Sequence, residues 1–166
     1  KMVLGAAILG VCAAWTACAA WNPGEPVTTY WAGPGFPGNE RLSDRWLAQL
    51  KEGGFNTVWA MTPEELDLAV KYGMRAIYKP KELRDRKIFL NIDDPAAEAA
   101  MEAMVNRVKD HPALYVYELY DEPAAGLFAS LAHTKEWLAR HDPKHAAWVN
   151  LLPTYANNEQ LGVKGE

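Results

Sequence analysis

The carboxyl group of Glu122 lies in a stretch whose residue types and spacing could do chemistry. Val116, Glu118 and Tyr120 precede it at two-residue intervals, and Pro123 follows it. In a strand that spacing puts all four side chains on one face. A carboxyl flanked by rings and closed off by a proline loses water. Desolvation raises its pKa and suits it to donating a proton near neutrality. A plainer alternative fits the same residues: Asp121-Glu122-Pro123 caps the helix that follows, because carboxylates are favourable at helix starts.

Aromatic residues recur at the ends of the other β-rich runs. Tyr30-Trp31 ends the first, Trp59 nearly ends the second, and Tyr78-Lys79 ends the third. Tyr120 precedes Glu122 at the fourth, and Asn150 ends the fifth with Tyr155 just beyond. Rings stack on the apolar faces of pyranoses, so a carboxylate among them suits a sugar. Simple packing is the alternative for each ring. Glu118 lies about 6–7 Å deeper than Glu122 on the same predicted face, and pairing with Arg75 or Lys79 is its expected role. Other chemistries find little support. His141 and His145 have i, i+4 spacing, but Asp142-Pro143 breaks the helix that would align them on a metal. There is no H-E-x-x-H pair and no serine nucleophile elbow. No cofactor is expected.

The elements that carry these residues alternate. Strands are predicted over 27–31, 55–60, 74–78, 114–120 and 145–151, where β-branched and aromatic residues concentrate. Between them run helical patterns. Leu42, Trp46, Leu47 and Leu50 form one, stopped by Gly53-Gly54. Thr62-Pro63-Glu64-Glu65 opens the next with a capping box, and Gly73 ends it. Asp94-Pro95 caps a third, with Met101, Met104, Val105 and Val108 on its apolar face. Leu127, Phe128, Leu131 and Leu138 carry a fourth, which ends at His141-Asp142-Pro143. The charged segment from Lys79 to about Asp93 reads as a long loop at the same end as Glu122, with the length of a substrate lid.

Strict alternation of strand and helix implies a parallel sheet. Two architectures compete: a doubly wound open sheet and part of a (β/α)8 barrel. The first wants a glycine-rich phosphate turn after its first strand. The turn here is Gly33-Pro34-Gly35-Phe36-Pro37-Gly38, whose prolines lack the N–H groups a phosphate needs. The repeat is about 29 residues, and eight such units would give about 235, close to a whole barrel. The fold class expected is therefore α/β: a partial (β/α)8 barrel of five units, truncated after its fifth strand.

Several motifs resemble the barrel of exported bacterial glycoside hydrolases of clan A. They are Tyr30-Trp31-Ala32-Gly33-Pro34, Gly53-Gly54-Phe55-Asn56-Thr57-Val58, Lys109-Asp110-His111-Pro112-Ala113-Leu114, Tyr120-Asp121-Glu122-Pro123 and Asn150-Leu151-Leu152-Pro153-Thr154-Tyr155-Ala156. The segment from His111-Pro112 to Glu122-Pro123 is the most specific. The resemblance implies that Glu122 is the general acid/base, and that Trp31, Trp59, Tyr78, Tyr120, Asp121 and Asn150 line the site of a carbohydrate substrate. The clan usually has Asn where Asp121 stands, which alters the contact to the sugar. Its nucleophile is a Glu ending a seventh strand, which these 166 residues do not include. By itself this stretch is expected to be inactive. A non-catalytic carbohydrate-binding barrel and an open five-stranded domain are the competing readings.

Residues 1–20 read as an export leader: Lys1, an uncharged apolar run from Met2 to Ala14, then small residues to Ala20. The run is too short to span a bilayer. Trp15-Thr16-Ala17-Cys18 resembles a lipobox, with Trp15 where Leu is usual, so Cys18 is a candidate for lipid attachment to a membrane. Both cysteines, Cys12 and Cys18, lie in the leader, so residues 21–166 contain no disulfide and no thiolate site. With 49% hydrophobic and 23% charged residues the 166-residue sequence has an ordinary globular composition, the 146 residues after the leader are enough for a core, and a net charge of −4 leaves no electrostatic footprint for nucleic acid.

Overall fold

The computed structural model describes residues 26–30 and 40–163. The proposed leader, Cys18 and Trp31 lie outside the described residues. Within them the order is α1 (Asp44–Glu52), β1 (Thr57–Ala60), α2 (Pro63–Lys71), β2 (Arg75–Tyr78), α3 (Arg86–Phe89), α4 (Pro95–Val108), β3 (Leu114–Asp121), a 3-10 turn (Ala125–Leu127), α5 (Phe128–His141) and β4 (Ala146–Asn150). The fold is α/β. The four strands form one all-parallel sheet in the order β1-β2-β3-β4.

The helix starts follow the local chemistry. Asp94 Oδ1 accepts from the backbone N–H groups of Ala96 and Ala97 at 2.9 and 3.0 Å and so caps α4. At α2 the Thr62 hydroxyl accepts from Glu65 N. The Glu65 carboxylate reaches one residue past the cap, to Met61 N at 2.6 Å, and its other oxygen takes Arg41 Nε at 2.8 Å. Gly73, at φ +64°, lets the chain leave α2 for β2 in a conformation that costs other residues steric strain. The charged segment after β2 is less open than its composition suggests. It holds the short helix α3, capped by Asp85, and buries Leu83, Phe89 and Ile92.

The described helices all cover one face of the sheet. Leu47, Leu66, Ala69, Met101, Met104, Val105, Leu131, Trp137 and Leu138 pack with Val58, Ala60, Ala76, Tyr78, Tyr117 and Leu119 of the strands. A smaller cluster of Trp59, Ile77, Tyr115 and Val116, with Tyr30 and Trp148, occupies the opposite face. Sequential parallel strands produce this one-sided layering when every crossover turns the same way, whereas a doubly wound sheet reverses its order and carries helices on both faces.

A strand predicted over 27–31 does not join the sheet among the described residues. Pro26–Tyr30 runs beside β1, where one backbone carbonyl bonds to it and side chains make further hydrogen bonds. Thr28 O accepts from both Asn56 N and Thr57 N. The Asn56 amide accepts from Thr28 N at 2.9 Å and donates to Pro26 O at 3.0 Å. Further along, Trp59 N donates to the Tyr30 hydroxyl at 3.3 Å. Burial is the main cause that pushes the Tyr30 hydroxyl up to about 12.

A buried polar network ties β3 to the turn between α5 and β4. The Tyr117 hydroxyl donates to Asp142 Oδ2 at 2.7 Å, and His145 Nδ1 meets the same oxygen at 2.8 Å. Burial, then the bond to Asp142, raises the Tyr117 hydroxyl above its ordinary value. Asp142→Ala leaves both partners buried and unpaired, so chemical unfolding is expected to show a loss of about 2–3 kcal/mol. Asp142→Asn, which keeps an acceptor oxygen, is expected to lose less.

Candidate functional site

Because all four strands are parallel, their C-terminal ends share one edge: Ala60, Tyr78, Asp121 and Asn150. Ligands of parallel α/β sheets bind at that edge. Which side chains reach it depends on an irregularity in β3. Glu118 pairs with Trp148 and Tyr120 with Val149, so β3 advances two residues while β4 advances one. Leu119 is the extra residue of a bulge. Leu119 and Tyr120 are consecutive and apolar, and both pack on the helix side. Regular alternation would have forced one of them to the other face.

The bulge reverses the faces that strand periodicity predicts. Val116 stays with Trp59 on the face that carries no described helix, and Glu118 pairs there with Trp148. Tyr120 crosses to the helix side, with its ring 6.2 Å from that of Phe89. Asp121 takes its place beyond Glu118, paired with Asn150, whose Nδ2 donates to Asp121 Oδ1 at 2.8 Å. Tyr78 also lies on the helix side, fully buried 6.5 Å from the Tyr117 ring, with its hydroxyl pushed up to about 12 chiefly by burial. Of the residues predicted to surround a ligand, Trp59, Asp121 and Asn150 share the face opposite the described helices. Tyr78 and Tyr120 do not.

Glu122 ends the ladder. Its N–H donates to Asn150 O at 2.8 Å, its side chain is exposed, and its φ is +52°. It is the only non-glycine residue with positive φ among the described residues. For a residue with a Cβ this conformation costs about 1–2 kcal/mol. Helix capping does not explain it. The helix α5 begins at Phe128, its N-cap is Leu127, and neither that start nor the 3-10 turn before it receives a side-chain cap. Strain that no helix cap accounts for points to a functional position. Glu122→Gly is expected to raise thermal stability by about 0.5–1 kcal/mol, the relieved strain less the added chain entropy. Glu122→Ala is not expected to do so. Melting curves of the two variants check this.

Two further residues belong to the face opposite the described helices. The Trp148 ring stands 5.4 Å from that of Trp59, tilted by 54°. Trp148 is not among the residues picked out at the strand ends, although it lies two positions before Asn150 and so on the same face. Beneath Asp121, Glu118 is only 1% exposed and accepts from Lys79 Nζ at 2.8 Å, which settles which of its two expected partners it takes. Burial raises the Glu118 carboxyl, Lys79 opposes that, and the charge of Asp121 adds to it. Beyond β4 the chain turns back over the loop after β3, where Ala125 N donates to Gln160 O at 2.8 Å. Tyr155 stands exposed on this returning segment. Among the described residues no group of three or more His, Cys, Asp or Glu side chains is arranged to hold a metal ion, and no helix is long and apolar enough to cross a membrane.

No protein-family model matches this sequence, and no characterised protein matches it either.

Proposed function

We propose that this chain is the N-terminal part of a (β/α)8 barrel glycoside hydrolase in which Glu122 is the general acid/base. The observation that carries the reading is Glu122 itself: a strained, uncapping carboxyl at the C-terminal end of a parallel strand, bonded to the end of the next strand. The consecutive strand order and the one-sided helix layer support the barrel, since a closed barrel repeats that arrangement.

In this reading Glu122 protonates the glycosidic oxygen as the bond to the sugar breaks. It then takes a proton from the water that attacks the anomeric carbon. Asp121 is held by Asn150 through one oxygen, and its second oxygen accepts a hydroxyl of the sugar. A carboxylate only accepts, so the sugar must donate where an Asn at this position would let it accept. Trp59 and Trp148 supply apolar surface to the pyranose, and Trp31 is assigned to the same sugar site from the sequence. The second carboxyl of a retaining pair belongs about 5–5.5 Å from the first. Glu118 is a poor candidate, because it is buried and committed to Lys79. Export from the cell, with Cys18 as a lipid anchor, belongs to the same proposal.

The test is turnover of a panel of aryl glycosides by the natural full-length protein. Release of phenol that depends on Glu122 supports the enzyme. Saturable oligosaccharide binding with no turnover overturns it in favour of a carbohydrate-binding barrel.

A further inference from the structure

Beside Asp121 a cleft of about 340 Å³ opens between β3 and the segment after β2, lined by Lys79, Arg84, Arg86, Phe89, Tyr120 and Asp121 among others. Its charge is uneven. Lys79 is neutralised by Glu118. Arg84 and Arg86 are exposed and have no acidic partner among the described residues, whereas Arg41 and Arg107 pair with Glu65 and Glu82. Arg86 is also held in place. Its guanidinium lies 5.0 Å from the centre of the Tyr120 ring, and one of its nitrogens donates to the Tyr120 hydroxyl. That uses one donor and leaves the rest of a planar fork. The bulge at Leu119 creates this arrangement, because it turns Tyr120 to the helix side, where α3 presents Arg86.

We propose that this cleft is a subsite for an anionic substituent on the sugar, a carboxylate or a sulfate ester, gripped by Arg86 and Arg84. The proposal rests on the glycoside hydrolase reading of Glu122 and adds the class of its substrate. Arginine forks match the paired oxygens of both groups. The contacts with Tyr120 restrain the fork and lower the entropy lost when it closes on its ligand. Asp121 is the one acidic group that lines the cleft. It sits at the boundary with the Glu122 side, so the anionic group must point away from it, toward α3. That sets the register of the sugar: the charged ring occupies the α3 side while the bond to be cleaved lies over Glu122.

The test uses calorimetric titration of the Glu122→Gln protein with three probes: a glucuronate oligomer, a sulfated cello-oligomer and an uncharged cello-oligomer of equal length. At low salt at least one charged probe is expected to bind about 10–100-fold more tightly than the uncharged one. The preference is expected to shrink as salt is added. The charged probe that binds identifies the substituent. In the Arg84→Gln/Arg86→Gln double variant the ratio of charged to uncharged affinity is expected to fall to about one. Both side chains are exposed, and an unchanged melting temperature confirms the fold. Equal affinities in the parent protein, no binding of either charged probe, or a preference that survives the double variant each overturn the subsite. Glu122-dependent turnover of uncharged aryl glycosides in that event leaves the enzyme reading standing. Charged-probe binding without any turnover sinks the enzyme reading alone.

Discussion

Glu122→Gln is expected to lower kcat on glycosides with poor leaving groups by about 10²–10⁴. Substrates with strongly activated leaving groups are expected to lose far less in the step that breaks the glycosidic bond. The amide keeps the size and backbone of the glutamate, so binding is preserved, but it has no proton to give. A poor leaving group needs that proton as the bond breaks, while an activated phenolate departs without it. The dependence of rate on leaving-group pKa should therefore steepen in the variant. A uniform loss across the series would mean that Glu122 acts in binding or in positioning. The position itself is demanding. With φ at +52° and its N–H on Asn150 O, Glu122 has its Cα placed by the ladder. Glu122→Asp therefore draws the carboxyl back from the same Cα by one methylene, and it is expected to be nearly as damaging as Gln for poor leaving groups.

Lys79→Met is expected to have the largest effect on stability, a loss of about 3–5 kcal/mol near neutral pH. The lysine lies at the mouth of the face opposite the described helices, with about a fifth of its side chain exposed, and Glu118 is nearly fully buried. Removing the ammonium strands a carboxylate away from water. The loss should depend on pH in a definite direction. Burial raises the folded-state carboxyl above its unfolded value of 4.5. The folded chain therefore holds the proton at a higher pH than the unfolded chain. Ionised Glu118 costs stability above the folded-state pKa, and that cost disappears as pH falls through the folded pKa toward 4.5. Lys79→Met takes away the group that opposes the shift, so its deficit should shrink steadily on mild acidification. Glu118→Gln/Lys79→Met should recover most of the loss at neutral pH, because no charge is left buried. Denaturant titrations of the three variants at several pH values check this. A pH-independent deficit, or a double variant as unstable as the single, would remove the buried carboxylate as its cause.

What was legible in the sequence was local. Caps are made by residues within four positions of each other, so Thr62 and Asp94 announce α2 and α4 without any knowledge of the fold. The alternation of strand and helix implies a parallel sheet, because each helix must carry the chain back before the next strand begins. For the same reason the position of Glu122 at a strand end is readable from Tyr120-Asp121-Glu122-Pro123 alone: the apolar run stops there and the proline cannot continue it.

Facing was decided only by tertiary structure. Period-two alternation assumes an unbroken ladder, and it assigns Tyr120 and Glu122 to the face of Glu118. The ladder breaks at Leu119 because two adjacent apolar residues both find cover among helices far away in sequence. That one extra residue moves Tyr120 onto Arg86 and puts Asp121 on the face opposite the described helices, where a regular strand would have pointed it among those helices. It also leaves Glu122 in a strained turn. Likewise 27–31 has the composition of a strand, but the side chains of Asn56 and Tyr30 take hydrogen bonds that a neighbouring backbone would otherwise make. Composition sets what a segment can become. Partners distant along the chain set which bonds form and which way each side chain points, and no local pattern contains them.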